Sequence, residues 1–258
     1  MSDRREFFRQ AAAVTVGLAA SDAVAVSAQQ RTATMPTPRA SALMTLFGLK
    51  YPIFSAGMAF AATPELAAAV SNAGGLGTVG TPSLSPDVVR QRVSRTKSGT
   101  NRPFAVNYLL AVDPTTLPVA LDAGAPIIQF AWGIPTRETV AAIRNRGAKM
   151  PIQVGSAAGA RRALDLGVDY LIYQGTEAGG HVQATSTLYD TLRAVIDEAK
   201  TVPVLAAGGI ASGAHTSARS WPGRPACWSA HASSLRRSLV HTTSTNVPSL
   251  GPMPPTRC

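Results

Sequence analysis

Short apolar segments alternate with longer amphipathic segments between residues 53 and 207 of this chain. The apolar segments are nearly continuous, with at most one uncharged polar residue each, which predicts strands buried on both faces, as in a parallel sheet covered by helices. The seven segments are residues 53–56, 77–80, 104–110, 127–131, 151–155, 170–174 and 203–207.

The segments between the predicted strands carry signals for the start and end of helices. Thr63-Pro64 and Ser85-Pro86 each combine a hydroxyl that can cap a helix with a proline that suits its first turn. Residues 136–146 and 157–166 are each followed by a glycine that can end a helix, and a weaker helix ends near Gly124. The last predicted helix has an apolar stripe formed by Leu188, Leu192, Val195 and Ala199.

Seven strand–helix units at this spacing predict an α/β fold of the (β/α)₈ TIM-barrel type. A doubly wound open sheet is the alternative, but the first strand is not followed by Gly-x-Gly-x-x-Gly. Glycine and amide residues instead occupy the C-terminal ends of many strands, where barrel enzymes build their sites. These residues are Gly57, Gly80, Asn107, Gly133, Gly155, Gln174 and Gly208.

The eighth strand of this barrel is expected to be missing or aberrant. The alternation of apolar and amphipathic segments stops after Ala214. Residues 215–258 contain recurrent prolines and no acidic residue, so they are expected to be irregular. A disordered basic extension is one interpretation. The other is a reading-frame shift near residues 214–217, because GC-rich codons for residues 227–237 can encode an apolar strand followed by Gly-Thr in another frame. Loss of the strand would expose the edges of strands one and seven, which predicts poor solubility.

The N-terminal region predicts an export signal followed by a linker. Arg4-Arg5 precedes Phe7, the mildly apolar run 11–20 and the small residues 26–28, as in a twin-arginine signal. Residues 1–28 are therefore expected to direct the protein to the periplasm, and without such export it would be cytoplasmic. Residues 29–44, rich in Thr, Pro, Ala and Gln, are expected to be a linker to a barrel over residues 45–214.

Composition excludes several classes of function. The net charge is +10, but residues 45–214 carry only +3 and their basic residues are not interleaved with aromatic ones, so a nucleic-acid partner is not expected. Cys227 and Cys258 both lie in the tail, and residues 45–214 have no His/Asp/Glu cluster with ligand spacing, so no metal is expected. No apolar stretch approaches the ~20 residues of a membrane-spanning helix. The oligomeric state stays open.

The loop after the sixth strand carries the clearest candidate chemistry. Residues 175–181 read Gly-Thr-Glu-Ala-Gly-Gly-His, and His181 is the first histidine of the chain. Glycines let the backbone approach a ligand closely, and imidazole changes its charge near neutral pH, so the loop suits an acid/base group beside a cofactor. The alternative is a tight turn with an incidental histidine.

Taken together, these motifs resemble the nitronate monooxygenase family, formerly called 2-nitropropane dioxygenases, which are FMN-dependent barrels. The resemblance covers about residues 45–214. The matching segments are Ala56-Gly57-Met58, residues 65–77 (ELAAAVSNAGGLG), residues 105–107 (AVN), residues 174–181 (QGTEAGGH) and residues 206–213 (AAGGIASG).

The resemblance implies a role for each matching residue around a bound FMN. Gly57 and Met58 would lie along the flavin ring, while Asn107 and Gln174 would bond to its polar edge. His181 matches the active-site histidine, which takes the α-proton of the substrate or binds its nitro oxygens. The implied cofactor-binding glycines are Gly179 and Gly180, beside the ring, and Gly208 and Gly209, whose amides would hold the phosphate.

The implied reaction is oxidation of nitronates or nitroalkanes by dioxygen to a carbonyl compound and nitrite. An FMN-dependent enoyl-acyl-carrier-protein reductase is the alternative enzyme, because it has a similar Gly-Gly-His loop. Two departures from the family matter: the fourth strand ends in Ala131-Trp132, where relatives often have a polar group, and the eighth-strand Gly-Thr is absent. The second departure predicts weak or no FMN binding, so a non-catalytic barrel remnant is a further alternative.

Overall fold

The computed structural model describes the backbone of residues 38–210 and 227–229, and the side chains of residues 42–210. All of them belong to the unit Pro36–Cys258. The proposed export signal, residues 29–37 of the linker and the rest of the tail lie outside the described residues. Among the described helices, none combines the length and the apolarity that crossing a bilayer requires.

Strands and helices alternate along the described chain. The helices are α1 (Pro38–Phe47), α2 (Pro64–Asn72), α3 (Pro86–Gly99), α4 (Leu117–Asp122), α5 (Arg137–Asn145), α6 (Ala157–Leu164) and α7 (Leu188–Ala199). The strands are β1 (Ile53–Phe54), β2 (Gly77–Gly80), β3 (Phe104–Leu109), β4 (Ile127–Ala131), β5 (Ile152–Val154), β6 (Leu171–Gln174), β7 (Val204–Ala207) and β8 (Cys227–Ser229).

All eight strands form one parallel sheet in the order β1-β8-β7-β6-β5-β4-β3-β2. The two end strands meet through a parallel bridge between Phe54 and Leu76, in which Leu76 N donates to Ile53 O at 2.9 Å. The predicted α/β fold of the TIM-barrel type is confirmed, and the barrel is incomplete among the described residues, because they contain no helix after β7 or β8. The sheet has its shortest strands at β1 and β8, with two and three residues.

The tail contains an eighth strand that the sequence pattern did not reveal. Residues 227–229 pair with Leu205, Ala206 and Ala207 on one side and with Ile53 and Phe54 on the other. The inference that the edges of strands one and seven are exposed is therefore wrong at these positions. The strand was missed because it has three residues and no flanking apolar repeat, so backbone pairing places it rather than side-chain periodicity.

The predicted linker is also wrong in part, because α1 begins at Pro38, inside residues 29–44. Leu43 is fully buried, and Phe47 packs against the ring of Tyr170 with the centroids 5.7 Å apart. Leu43 and Phe47 join a cluster with inward-facing residues of the strands, including Ala105 and Ile127. Helix α1 thus supplies apolar side chains to the barrel interior.

The two-residue period of the strands divides the barrel interior into an apolar layer and a polar layer. Ala105 in β3 and Ile127 in β4 belong to the apolar cluster that α1 covers. Two positions further along the same strands, on the same face, lie Asn107 and Gln129, which are both buried. The polar layer is thus at the C-terminal ends of the strands.

We expect Phe47→Ala to lower the free energy of unfolding by about 3 kcal/mol, because it removes a buried aromatic side chain. Leu46→Ala is the matched control: Leu46 is the adjacent residue but is 41% exposed, so the loss should stay within about 0.5 kcal/mol. Urea unfolding of the two variants measures the difference. A loss for Phe47→Ala as small as that for the control would show that Phe47 does not stabilise the barrel.

Candidate functional site

A cavity of about 270 Å³ lies at the C-terminal ends of the strands. Residues from or directly after β1, β3, β4, β5, β6 and β7 line it, which is the position of the active site in TIM barrels. Seven of the nine residues predicted for the site line this cavity: Gly57, Met58, Asn107, Gln174, Gly179, Gly180 and His181.

Four side-chain amides from successive strands reach the cavity wall: Asn107, Gln129, Gln153 and Gln174. Asn107 and Gln129 are partners in the register of β3 and β4, and Gln129 Nε2 donates to Asn107 Oδ1 at 3.1 Å. Gln129 and Gln153 were not predicted from the sequence as residues of the site. Each is a single amide inside an otherwise apolar strand, and this was the signal that could have identified them.

Gly57 brings the backbone of the β1–α2 loop against Asn107. A Cβ atom at residue 57 would overlap the side-chain amide of Asn107, so only glycine allows this approach. The contact places the main chain of Gly57 and Met58 along one wall of the cavity, beside the amide layer.

The side chain of Gln174 holds the loop that carries His181. Gln174 is 5% exposed; its Nε2 donates to His181 O at 3.2 Å, and its Oε1 accepts from Gln183 N at 3.0 Å. The family resemblance implied that this amide bonds to the flavin edge. In the structure its carbonyl oxygen and one N–H are instead used to fix residues 181–183, although the side chain still lines the cavity.

Further hydrogen bonds anchor both ends of this β6–α7 loop, residues 175–187. Gly175 N donates to Ala207 O at 2.9 Å, and Tyr173 Oη donates to Thr187 O at 3.1 Å. Burial raises the pKa of the Tyr173 phenol, which therefore remains a neutral donor at physiological pH. His181 is exposed, but its backbone belongs to a loop that is tied down on several sides.

Glu177 is a structural residue of this loop. Its carboxylate accepts from Leu188 N at 2.8 Å, at the N-terminus of α7, where a negative charge is favourable. The residue is exposed, but this hydrogen bond connects the start of the loop to the helix that follows it.

Gly208 and Gly209 do not line the cavity in the structure. Both have positive φ angles, 125° and 63°, and they turn the chain after β7. Gly209 N donates to Glu177 O at 3.2 Å, and a Cβ at Gly208 would lie 2.9 Å from Ala178 N. These residues pack against the β6–α7 loop, so one of the two amides assigned to a phosphate already has a partner.

Trp132 stands beside His181 at the cavity. The centroids of the indole and imidazole rings are 6.1 Å apart, and the rings are nearly perpendicular at 83°. Trp132 has φ 61°, a conformation that costs a non-glycine residue about 1–2 kcal/mol, and Gly133 follows with φ 155°. The strained turn after β4 thus aims a large aromatic ring at the histidine, a strain of the kind found at functional sites.

The lining is almost free of charge. Among the described lining residues, His181 is the one imidazole, and none is Asp, Glu, Lys or Arg. The described residues also contain no group of three His, Cys, Asp or Glu that could hold a metal ion. The described residues of this lining thus offer neutral amides, one hydroxyl, backbone groups and one imidazole.

Comparison with known proteins gives the family. The nitronate monooxygenase family model matches residues 40–118 and 112–219, which include the whole loop from Gln174 to His181. The chain belongs to the nitronate monooxygenase family.

Relatives of this chain are about 30% identical to it over the aligned residues. A probable nitronate monooxygenase of Staphylococcus saprophyticus is 31% identical over 217 residues, covering 65% of this chain and 60% of the relative. FabK from Thermotoga maritima has a TM-score of 0.68 at 32% identity, covering 73% of this chain and 60% of FabK.

A third match is the nitroalkane oxidase of Streptomyces ansochromogenes, with a TM-score of 0.66 at 28% identity. It covers 75% of this chain and 68% of the oxidase. This chain therefore spans less than two thirds of the staphylococcal relative and of FabK.

We expect Gln174→Ala to loosen the loop at residues 181–183, because it removes the acceptor of Gln183 N and a donor to His181 O. Loss of a net hydrogen bond of about 1 kcal/mol predicts roughly fivefold faster hydrogen exchange at the Gln183 amide.

Gln153→Ala is the control, since Gln153 lines the same cavity and its amide has no hydrogen bond to residues 175–187 within the described chain. Unchanged exchange at Gln183 in Gln174→Ala would show that Gln174 does not hold the loop.

Proposed function

We propose that this protein is a flavin-dependent oxidoreductase that uses FMN to oxidise alkyl nitronates and nitroalkanes with dioxygen. The observation that carries this proposal is the position of His181. It lies at the mouth of a cavity lined by neutral amides, on a loop whose sequence belongs to the nitronate monooxygenase family.

The residues present fit the ring of a flavin. Space is open beside Gly180, where a Cβ would meet nothing within 4 Å, and Gly57 allows backbone to approach along another wall. The Nδ2 of Asn107 and the amide of Gln153 have no hydrogen-bond partner among the described residues, so they can bind the polar edge of a heterocycle. Bound flavin would supply the electron transfer, while the protein binds and orients the reactants.

His181 would act on the substrate and not on the flavin. A neutral nitroalkane must lose its α-proton before it can be oxidised as a nitronate, and an imidazole at the cavity mouth can accept that proton. The hydrogen bonds from Gln174 keep the loop backbone in place, while Trp132 contacts the ring. The apolar parts of the lining, which include Leu109 and Ala131, exclude water from the carbanion-like substrate.

The overall reaction balances without a further reductant. One dioxygen molecule supplies one oxygen atom to each of two nitronates; their carbon–nitrogen bonds break, and two carbonyl compounds and two nitrite ions are formed. If residues 1–28 are an export signal, this reaction takes place in the periplasm.

We expect His181→Asn to separate proton removal from oxidation. Loss of the base should reduce kcat/KM for neutral nitroalkanes by roughly 10²–10⁴-fold. A nitronate prepared in advance needs no base, so its oxidation should fall by less than about tenfold. Oxygen uptake and nitrite release with both forms of the substrate measure the two effects. Equal losses with both forms would contradict the role of His181 as a base.

An enoyl-acyl-carrier-protein reductase is the second candidate, favoured by the similarity to FabK, an enoyl reductase. That reaction would need hydride from NAD(P)H and would consume no dioxygen. Oxidation of NAD(P)H with an enoyl thioester, and no oxygen uptake with a nitronate, would replace the proposed function by this one.

The third candidate is a barrel that does not catalyse, as the frameshift hypothesis suggests. The family match ends at residue 219, which is close to residues 214–217, where that hypothesis expects the resemblance to stop. The hydrogen bond from Gly209 N to Glu177 O also supports a weakened phosphate site, because this N–H already has a partner. An unbroken reading frame in the coding DNA, with no strand-coding alternative, would remove the hypothesis.

We expect FMN to bind weakly, with a dissociation constant within about tenfold of that of riboflavin, which lacks the phosphate. A complete phosphate cradle would add several charge-assisted hydrogen bonds of about 1.5–3 kcal/mol each. Titration of the purified chain with both flavins, followed by fluorescence, gives the ratio of the dissociation constants. A preference for FMN above about 100-fold would contradict the idea of a defective phosphate site.

A further inference from the structure

Trp132 is the largest residue that lines the cavity, and it lies next to His181. Within the described residues, the imidazole ring has no hydrogen-bond partner, and its aromatic contact is with this indole. The backbone that carries Trp132 is fixed: Leu110 N donates to Ala131 O at 2.8 Å, just before the turn. Gly133 is also closely packed, because a Cβ there would lie 2.7 Å from Leu110 Cβ.

The wall near Trp132 is apolar. Met58, Leu109 and Ala131 line the same cavity, and the polar groups that line it are neutral amides, a hydroxyl and the imidazole. A second charged group on a substrate would therefore find no countercharge among the described lining residues. Burying such a group without a partner is costly.

We propose that Trp132 sets the size limit for the substrate beside His181, and that the site selects a small nitronate whose remaining part is apolar and uncharged. This inference rests on the proposed function. A planar nitronate between the amide layer and the imidazole would direct its alkyl groups at the indole, so the bulk of residue 132 decides how large these groups can be. Trp132 is then a specificity-determining residue that also positions the histidine ring.

The first test compares two nitronates of different bulk, those of 2-nitropropane and nitrocyclohexane. We expect Trp132→Ala to raise the ratio of kcat/KM for nitrocyclohexane over 2-nitropropane by roughly tenfold or more, the scale of selection by pocket size. Trp132→Phe should shift the ratio less. A structural defect would lower both rates and leave their ratio unchanged.

Ile134→Ala is the matched control, because it shortens an apolar side chain two residues away that does not line the cavity. Its ratio should stay within about twofold of the original protein. If the ratio in Trp132→Ala also stays within twofold while nitronates are oxidised, the inference is wrong and the proposed function stands.

The second test measures binding without turnover. Isobutyrate and cyclohexanecarboxylate have the heavy-atom connectivity and the charge of the two nitronates and are not oxidised, so calorimetry can measure their affinities. Trp132→Ala should raise the affinity for cyclohexanecarboxylate relative to isobutyrate by a similar factor. This shift in a protein that oxidises no nitronate would support the size limit and refute the proposed function, whereas no shift would contradict the size limit.

The third test addresses charge at constant shape. In 1-nitro-3-methylbutane an isopropyl group replaces the carboxylate of 3-nitropropionate. We expect kcat/KM for the nitronate of 1-nitro-3-methylbutane to be at least about tenfold higher than for that of 3-nitropropionate, since a buried unpaired carboxylate is unfavourable. Equal values, or a preference for 3-nitropropionate, would overturn the selection against charge.

Discussion

The alternation of inward and outward side chains in a parallel barrel is the constraint on which this site depends. In β3 and β4, the same face that buries Ala105 and Ile127 also presents Asn107 and Gln129, because these residues are two positions apart. A shift of one residue in register would turn both amides towards the helices. The apolar layer covered by α1 therefore fixes the polar layer in which a ligand can bind.

The loop between β6 and α7 shows how an exposed segment can be held in one conformation. Its contacts use a buried amide, a buried phenol, a carboxylate at a helix N-terminus and the backbone of β7. These interactions come from both ends of the loop and from a neighbouring strand. The imidazole is thus placed by groups that lie behind it and leave its own nitrogen atoms available.

Much of this fold could be predicted from the sequence because its signals are local. Thr63 caps α2 by accepting from Leu66 N, and the apolar runs became strands with nearly the expected limits. Helix α1 was missed because a short, weakly amphipathic segment next to a Pro-rich region looks like a linker. The three residues of β8 were missed because they are specified by the two neighbouring strands.

Most of the candidate site could also be predicted from the sequence, since the motifs lie at the ends of strands that meet at one rim. The hydrogen-bond partners of Gln174 could not be predicted, because an inward-facing amide can bond equally well to a cofactor or to its own loop. The placement of Gly208 and Gly209 depended on the conformation of residues 177 and 178, which no spacing rule reports.

The hydrogen bond from Gly209 N to Glu177 O has a consequence for communication within the protein. An anion that takes this donor must first release the Glu177 carbonyl, which belongs to the same loop as the histidine. Anion occupancy and loop order are then thermodynamically linked, and the linkage acts equally in both directions. Occupancy of the turn after β7 by an anion would thus alter the ordering of the loop that carries His181.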